Sequence, residues 1–365
     1  MKAVVLAGGY ATRLRPISYA LPKLLFPILG KPMIYWTLDM LESAGITDVI
    51  LGVNYLADTL RAKVGSNYKG IRINYSLEGQ ELGTAGPIKL ALAEAGVNET
   101  FIAMNGDVIA QISLQDMLKQ HQQSKALITD ALHQVKDPSR FGVVKMDAQN
   151  RIELFVEKPK PRTAPSRLVN AGIYLIEPEV LQLIPENRKV SLEREIFPNL
   201  ARERKLSGFE FLGYWFDIGN LAEFRKANIS LLRYSIQKPE RQVLNARIAT
   251  DAVIRRPVSL GDNSNVDSQA RIGPNALLGN NVSVGRRAEV KQSILFDGVT
   301  IGEKSRIDGA IISTGARIGK SVKIDRGCII SPFVTVADRT KIHDGAIIHP
   351  YKEINRNVRA KAHIM

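Results

Sequence analysis

The stretch "ARIGKSVKIDRGCIISPFVTV", residues 316–336, repeats itself every six positions. Ile318, Ile324, Ile330 and Val336 mark the beat, and two residues before each stands a smaller side chain: Ala316, Val322, Cys328 and Val334. Neither the 3.6-residue period of an amphipathic helix nor the two-residue alternation of an ordinary strand gives this spacing. Six is the repeat of a parallel β-helix, in which each hexapeptide makes one flat side of a coil and three sides complete a turn. The aliphatic residue points into the prism, and the small one packs near the corner.

Followed outward, the beat runs through Ile248, Ile254, Leu260, Val266, Ile272, Leu278, Val284 and Val290. A one-residue deletion precedes Leu295, Ile301 and Ile307, and a second precedes Ile312 and the run on to Ile342 and Ile348. These 18 positions make six coils, so residues 246–350 are expected to form the β-helix, with 351–365 as a tail or cap over an open end. Cys328, the single cysteine, falls on a small-residue core position. It is expected to be inert, and one cysteine permits neither an intrachain disulfide nor a thiolate-clustered zinc site.

Upstream the pattern is different. In the first 125 residues "AVVLAG", "DVILGVN", "IRINYS" and "TFIAMNGD" read as strands. They alternate with helical stretches at Met33 to Glu42, Ala57 to Val64, Thr84 to Ala93 and Leu114 to Gln122. Such alternation predicts a Rossmann-like α/β domain, a mixed but mostly parallel sheet whose ligands collect at the carboxyl ends of the strands. "ALITDALHQV", "FGVVKMD", "RIELFVEKP", "NAGIYLIEP" and "GYWFDIG" extend the sheet, and a helix is expected over 220–234. The domain plan is therefore 1–234, a linker over 235–245, the β-helix over 246–350 and the terminal segment.

The chain carries 50 basic and 36 acidic side chains, a net charge of +14. The charges are scattered singly and aromatics are sparse, which favours a solvated surface and small anionic substrates over a nucleic-acid face. No segment offers the roughly 20 apolar residues of a membrane span, and no secretory signal is apparent. A soluble, cytoplasmic protein is expected, with no membrane and no nucleic-acid partner.

The chemistry is expected at "VVLAGGYATRLRPIS", residues 4–18, where an apolar strand runs into two glycines and then Arg13 and Arg15. The glycine spacing fits neither a dinucleotide fingerprint nor a P-loop. What remains is a turn whose backbone can approach phosphates or a base closely, followed by planar guanidinium donors.

This turn, followed by "LPKLLFPILGKPMI", resembles the signature of the sugar-1-phosphate nucleotidyltransferases, and "ELGTAGP", "NGD", "FGVV", "VEKP", "NAGIY" and "WFDIG" follow in that family's order. With the hexapeptide region, the resemblance covers nearly the whole chain and implies that the β-helix is left-handed. It implies attack of a sugar-1-phosphate oxygen on the α-phosphate of a nucleoside triphosphate, releasing pyrophosphate. Both substrates are anions and the nucleophile is already ionised, so such a reaction needs cations and alignment more than a base.

By this resemblance Arg13, Lys23, Asp107 and Lys158 are the catalytic residues. Leu6, Ala7, Gly8, Gly9, Thr12, Arg13, Lys23, Gly83 and Thr84 take the nucleotide. Gly142, Glu157, Lys158 and Asn170 take the sugar phosphate, with Gly142 leaving room for the ring. Asp107 and Asp217 hold Mg2+, a hard ion suited to carboxylate oxygens. An N-cap role for Asp217 is the competing reading. "LGTAGP", "SLEREIFP" and "GYWFDIG" look most like the GDP-mannose pyrophosphorylases, which implies GTP and mannose-1-phosphate, with UTP or dTTP and glucose-1-phosphate as the alternative.

Two positions depart from the signature. Ala11 stands where glycine is usual, at a cost of about 1 kcal/mol if φ is positive there, and Asn220 replaces a more common threonine. Two rival readings remain. One is a β-helix that also transfers an acyl group through His343, His349 or His363. The other is a non-catalytic subunit that binds an NDP-sugar and a partner. A homo-oligomer assembled through the β-helix is expected.

Overall fold

The computed structural model describes all residues except Pro161, Asn187 and 236–244, and of Glu94 the backbone only. The expected linker thus lies almost wholly outside the described residues. Contacts divide the chain into two compact units, Met1–Tyr10 with Met33–Ile218, and Ala11–Pro32 with Gly219–Met365.

The first unit is built on a ten-stranded mixed sheet. Its parallel centre places Lys2–Leu6 between Phe101–Asn105 and Asp48–Val53, with Ile71–Leu77 beyond. The three inner strands are nearly continuous apolar runs, as expected where helices cover both faces, whereas Ile71–Leu77 alternates buried and exposed residues. Antiparallel strands extend the sheet past Phe101–Asn105: Leu168–Ile176, then Gly142–Met146 and Ile152–Glu157. Leu168–Ile176 also pairs with Ile128–Gln134, across a register break between Asn170 and Tyr174. A strand not foreseen, Leu206–Glu210, adds parallel to Ile128–Gln134.

Among the described residues five α-helices accompany the sheet: α1 (Met33–Ser43), α2 (Ala57–Val64), α3 (Gly86–Ala95), α4 (Leu114–Ser124) and α5 (Phe197–Arg202). Helix α3 starts two residues later than expected: Gly83 before it is left-handed at φ +82°, and Thr84 and Ala85 donate their N–H groups to Val190 O, at 3.1 and 3.0 Å.

The second unit is a left-handed parallel β-helix with one long helix, α6 (Leu221–Ser235). The hexapeptides stack as three parallel sheets of seven, six and seven strands. Each aliphatic position from Leu260 to Ile348 is buried, as is each small residue two before it from Val258 onward. Cys328 is one of these small residues; burial pushes its thiol up to about 11, so it stays protonated.

Where a tail or cap is expected, residues 351–365 continue the prism instead. Glu353–Ile354 and His363–Ile364 each add a strand, and Val358 bridges Ile342. The step from Ile354 to Val358 is only four residues, which hides this last coil from a six-residue reading. Among the described residues, no helix is long and apolar enough to cross a membrane.

Segment Ala11–Pro32 belongs to the second unit although it follows the first strand directly. Phe26 sits edge-on between Phe224 of α6 and Phe296 of the β-helix, with ring centroids 5.6 and 5.9 Å away. All three rings are buried. Asn228 of α6 accepts from Leu29 N–H at 2.9 Å and donates to Pro27 O at 3.2 Å.

Candidate active site

The first strand ends at Leu6, where the loop leaves between two strand ends. Ala7 N–H donates to Gly52 O at 2.8 Å, and Gly106 N–H donates to Leu6 O at 2.9 Å. This is the carboxyl edge of the parallel centre, where an open α/β sheet binds its ligands. Gly8 is required there by contact: a Cβ on it would stand 2.2 Å from Glu78 Oε1. Gly9 has nothing within 4 Å of such an atom and is exposed.

Glu78 is a buried acid at this loop that the sequence reading did not single out. It follows the strand Ile71–Leu77, is only 8% exposed, and packs its carboxyl against Gly8. Burial, with the charge of Glu81 adding, pushes it up to about 7. Among the described residues no cation or hydrogen-bond donor is paired with this carboxyl. In the sequence it looks like one more acid in a polar loop; only the crossing of Gly8 and Gly52 beside it makes it a buried acceptor.

Gly83 and Thr84 are structural partners of the same loop. Gly83 has φ +82° and its Cα faces Val190 O. The Thr84 hydroxyl donates to Glu193 Oε2 at 2.7 Å and accepts from Leu192 N–H at 2.9 Å. Both its donor and an acceptor position are thus used by Leu192 and Glu193, distant in sequence.

Asp107 and Asp217 come together on a two-stranded ribbon. Val108–Ala110 pairs antiparallel with Trp215–Asp217, setting Asp217 opposite Val108, and Ile218 N–H donates to Asp107 O at 3.0 Å. Both aspartates are half-buried at the same end of the ribbon. The cap of α6 is Asn220, whose Oδ1 accepts from Glu223 N–H at 2.9 Å. This accounts for the unusual asparagine and leaves Asp217 out of the capping role.

Carboxylate oxygens are the donors a hard divalent ion prefers, and these two aspartates share one end of the ribbon by backbone pairing; no cluster of three or more potential ligands occurs among the described residues. That donor set suits an ion that arrives with substrate phosphates and keeps only one or two protein ligands.

Lys158 Nζ pairs with Glu157 Oε1 at 2.9 Å, with the lysine side chain 60% exposed. Gly142 lies opposite Glu157, and a Cβ on it would meet Phe155 Cζ at 2.4 Å and Glu157 Oε2 at 3.1 Å. The space beside this glycine, expected to admit a sugar ring, is taken by Phe155. Asn170 secures the bulge in its own strand: its Oδ1 accepts from Gly172 N–H at 2.7 Å and its Nδ2 donates to Tyr174 OH at 2.9 Å. One amide N–H and one lone pair remain for a ligand.

Thr12, Arg13 and Lys23 lie in the second unit. Ala11 is left-handed, with φ 47° and ψ 38°, and starts the turn Thr12–Leu14. The Arg13 guanidinium packs over Gly219, two residues past Asp217: a Cβ there would be 3.3 Å from both Nη atoms. His349, raised above as an acyl-transfer candidate, faces Tyr19 at 5.8 Å between rings, and His343 pairs with Asp325 at 3.3 Å.

Residues 2–233 match the nucleotidyl transferase family, and residues 245–364 match the GMPPB C-terminal domain. The chain belongs to the nucleotidyl transferase family. Mannose-1-phosphate guanyltransferase of Aspergillus fumigatus is 33% identical over 376 residues, covering all of both chains. Probable mannose-1-phosphate guanylyltransferase 3 of Oryza sativa subsp. japonica is 33% identical over 363 residues, 98% of each. Among solved structures, a putative glucose-1-phosphate thymidylyltransferase from Bacillus anthracis, in complex with a sucrose, has TM-score 0.56 and 27% identity. The match covers 62% of this chain and 94% of that one. UDP-glucose pyrophosphorylase complexed with UDP-glucose has TM-score 0.57 at 22% identity, covering 64% and 98%, and shares the fold.

Proposed function

We propose that the protein transfers GMP from GTP to mannose-1-phosphate, forming GDP-mannose and pyrophosphate. The observation that carries the choice of base is Glu78. A carboxylate only accepts hydrogen bonds, and guanine presents two adjacent donors on one edge, N1–H and N2–H2, that match its two oxygens. Uracil and thymine offer a single N–H flanked by carbonyls, whose oxygens a carboxylate repels. The relatives named for mannose-1-phosphate support the sugar.

In this reading the backbone of Leu6, Ala7, Gly8 and Gly9 approaches the nucleotide, and Gly83 and Thr84 hold the loop that carries Glu78's neighbours. A phosphate oxygen of mannose-1-phosphate attacks the α-phosphorus of GTP, and the bond to the β-phosphate oxygen breaks. Arg13 and Lys23 neutralise the triphosphate and the departing pyrophosphate, Thr12 supports that turn, and Lys158 binds the sugar phosphate. Glu157 and Asn170 accept and donate to sugar hydroxyls. Asp107 and Asp217 would hold a Mg2+ ion, which when bound supplies positive charge between the two phosphates. Losing one preorganised contact of this kind lowers turnover by about 10² to 10³.

Pyrophosphate release with Mg2+ tests the proposal, crossing GTP, UTP, dTTP, ATP and CTP against mannose-1-phosphate, glucose-1-phosphate and N-acetylglucosamine-1-phosphate. A dominant GTP and mannose-1-phosphate signal is expected. Preference for UTP or dTTP with glucose-1-phosphate overturns the substrates, and silence with every pair overturns catalysis. Assembly through the β-helix is part of the proposal, and light scattering that shows only monomer at micromolar concentration would count against it.

A further inference from the structure

Between α6 and one flat side of the β-helix lies a crevice of about 630 Å³. Arg225 and Arg233 line it from the helix, eight residues apart and so on nearly the same face, with Lys226 beside them. No acidic residue lines it among the described residues. Lys226 reaches Glu223 at 3.6 Å, but neither guanidinium pairs with a carboxylate among the described residues.

The guanidinium groups are held from the β-helix side. Arg225 Nη2 donates to Gln292 O at 2.9 Å and Arg233 Nε donates to Asn275 Oδ1 at 3.3 Å. Arg225 Nε is buried with no hydrogen-bond partner. A phosphate in the crevice would meet guanidinium groups that no carboxylate neutralises, and charge-assisted pairing with phosphate oxygens is what a guanidinium does best. Ile311 and Ile329 form part of the opposite wall, so the space offers carbon contacts as well as charge.

We propose that this crevice binds a small phosphomonoester of sugar-phosphate size, at a site separate from the one that performs transfer. Its phosphate is gripped by Arg225 and Arg233, and its carbon skeleton lies on the isoleucines. The ligand braces α6 against the β-helix. Because Asn228 of the same helix clasps the peptide groups of Pro27 and Leu29, that bracing reaches the segment carrying Lys23.

The test is calorimetric titration of the full-length protein with glucose 6-phosphate and, separately, inorganic phosphate. Glucose 6-phosphate is expected to saturate one site per chain and to bind at least tenfold tighter than inorganic phosphate. R225Q and R233Q are expected to weaken it at least tenfold, and K158A to leave it unchanged. Arg233 is exposed, so R233Q keeps the test sound if R225Q melts early. Affinity unchanged in both arginine variants, affinity lost in K158A, equal binding of inorganic phosphate, or no saturation would each overturn the proposal.

Discussion

Glu78 ties base choice to acidity. Its carboxyl titrates at about 7, and an acid raised this way is neutral below that value and ionised above it. If the ionised form accepts guanine's donors, KM for GTP should rise about tenfold per pH unit below 7, and E78Q should flatten that rise. E78Q should also raise KM for GTP about 10- to 100-fold at pH 8, as expected for a charged hydrogen bond. A second buried acid has a different consequence. Asp130 lies in the strand Ile128–Gln134, on the face of the apolar Ile128 and Leu132, fully buried with both oxygens unpartnered. Burial, with Glu193's charge adding, holds its carboxyl well above the usual range. Its contribution is therefore fully present below the unfolded value of about 3.9 and is lost as pH rises through the folded one. D130V should gain about 1–3 kcal/mol at pH 8, with the gain shrinking towards pH 5, as read by urea unfolding at both. Ala11, left-handed at φ 47°, predicts that A11G is more stable by up to about 1 kcal/mol.

At the scale of elements, the ribbon that sets Asp107 beside Asp217 makes a coupling prediction. D107N and D217N should each raise the Mg2+ concentration for half-maximal pyrophosphate release, and the double variant should be little worse than either, since residues acting as a unit are not additive. Independent, additive losses would separate the two carboxylates. Periodicity made most of these elements legible. Ala57–Val64 is found over the residues expected, and the hexapeptide beat located each side of the prism as far as Ile348. Leu206–Glu210 escaped because Ser207 and Gly208 interrupt the alternation of so short a run; its partner strand, distant in sequence, makes it a strand. Short motifs were enough to single out Gly8, Asp107 and Asp217, which lie at the ends of the strands where a ligand is expected. Glu78, Phe155's occupation of the space beside Gly142, and the internal bonding of Thr84 depend on which segments cross one another, and no local pattern records that.

At the scale of the whole molecule, the β-helix is joined to the signature segment by packing as well as by chain. Removing residues 235–365 would strip Phe26 of Phe296 and expose aromatic surface that the unit now covers. A 1–234 fragment should therefore aggregate or lose activity in purified form, and F296A, which truncates one member of the ring trio, should lose about 3–5 kcal/mol of stability by denaturant unfolding. A soluble, fully active fragment would show that Phe26 needs no such cover. The same trio bears on how the protein is made. Phe26 leaves the ribosome early, and Phe296 arrives only when most of the chain has been synthesised. At about 5–20 residues per second, that leaves the segment incomplete for roughly tens of seconds. A nascent chain in that interval presents an unburied phenylalanine beside its most basic turn, a ready handhold for holding chaperones.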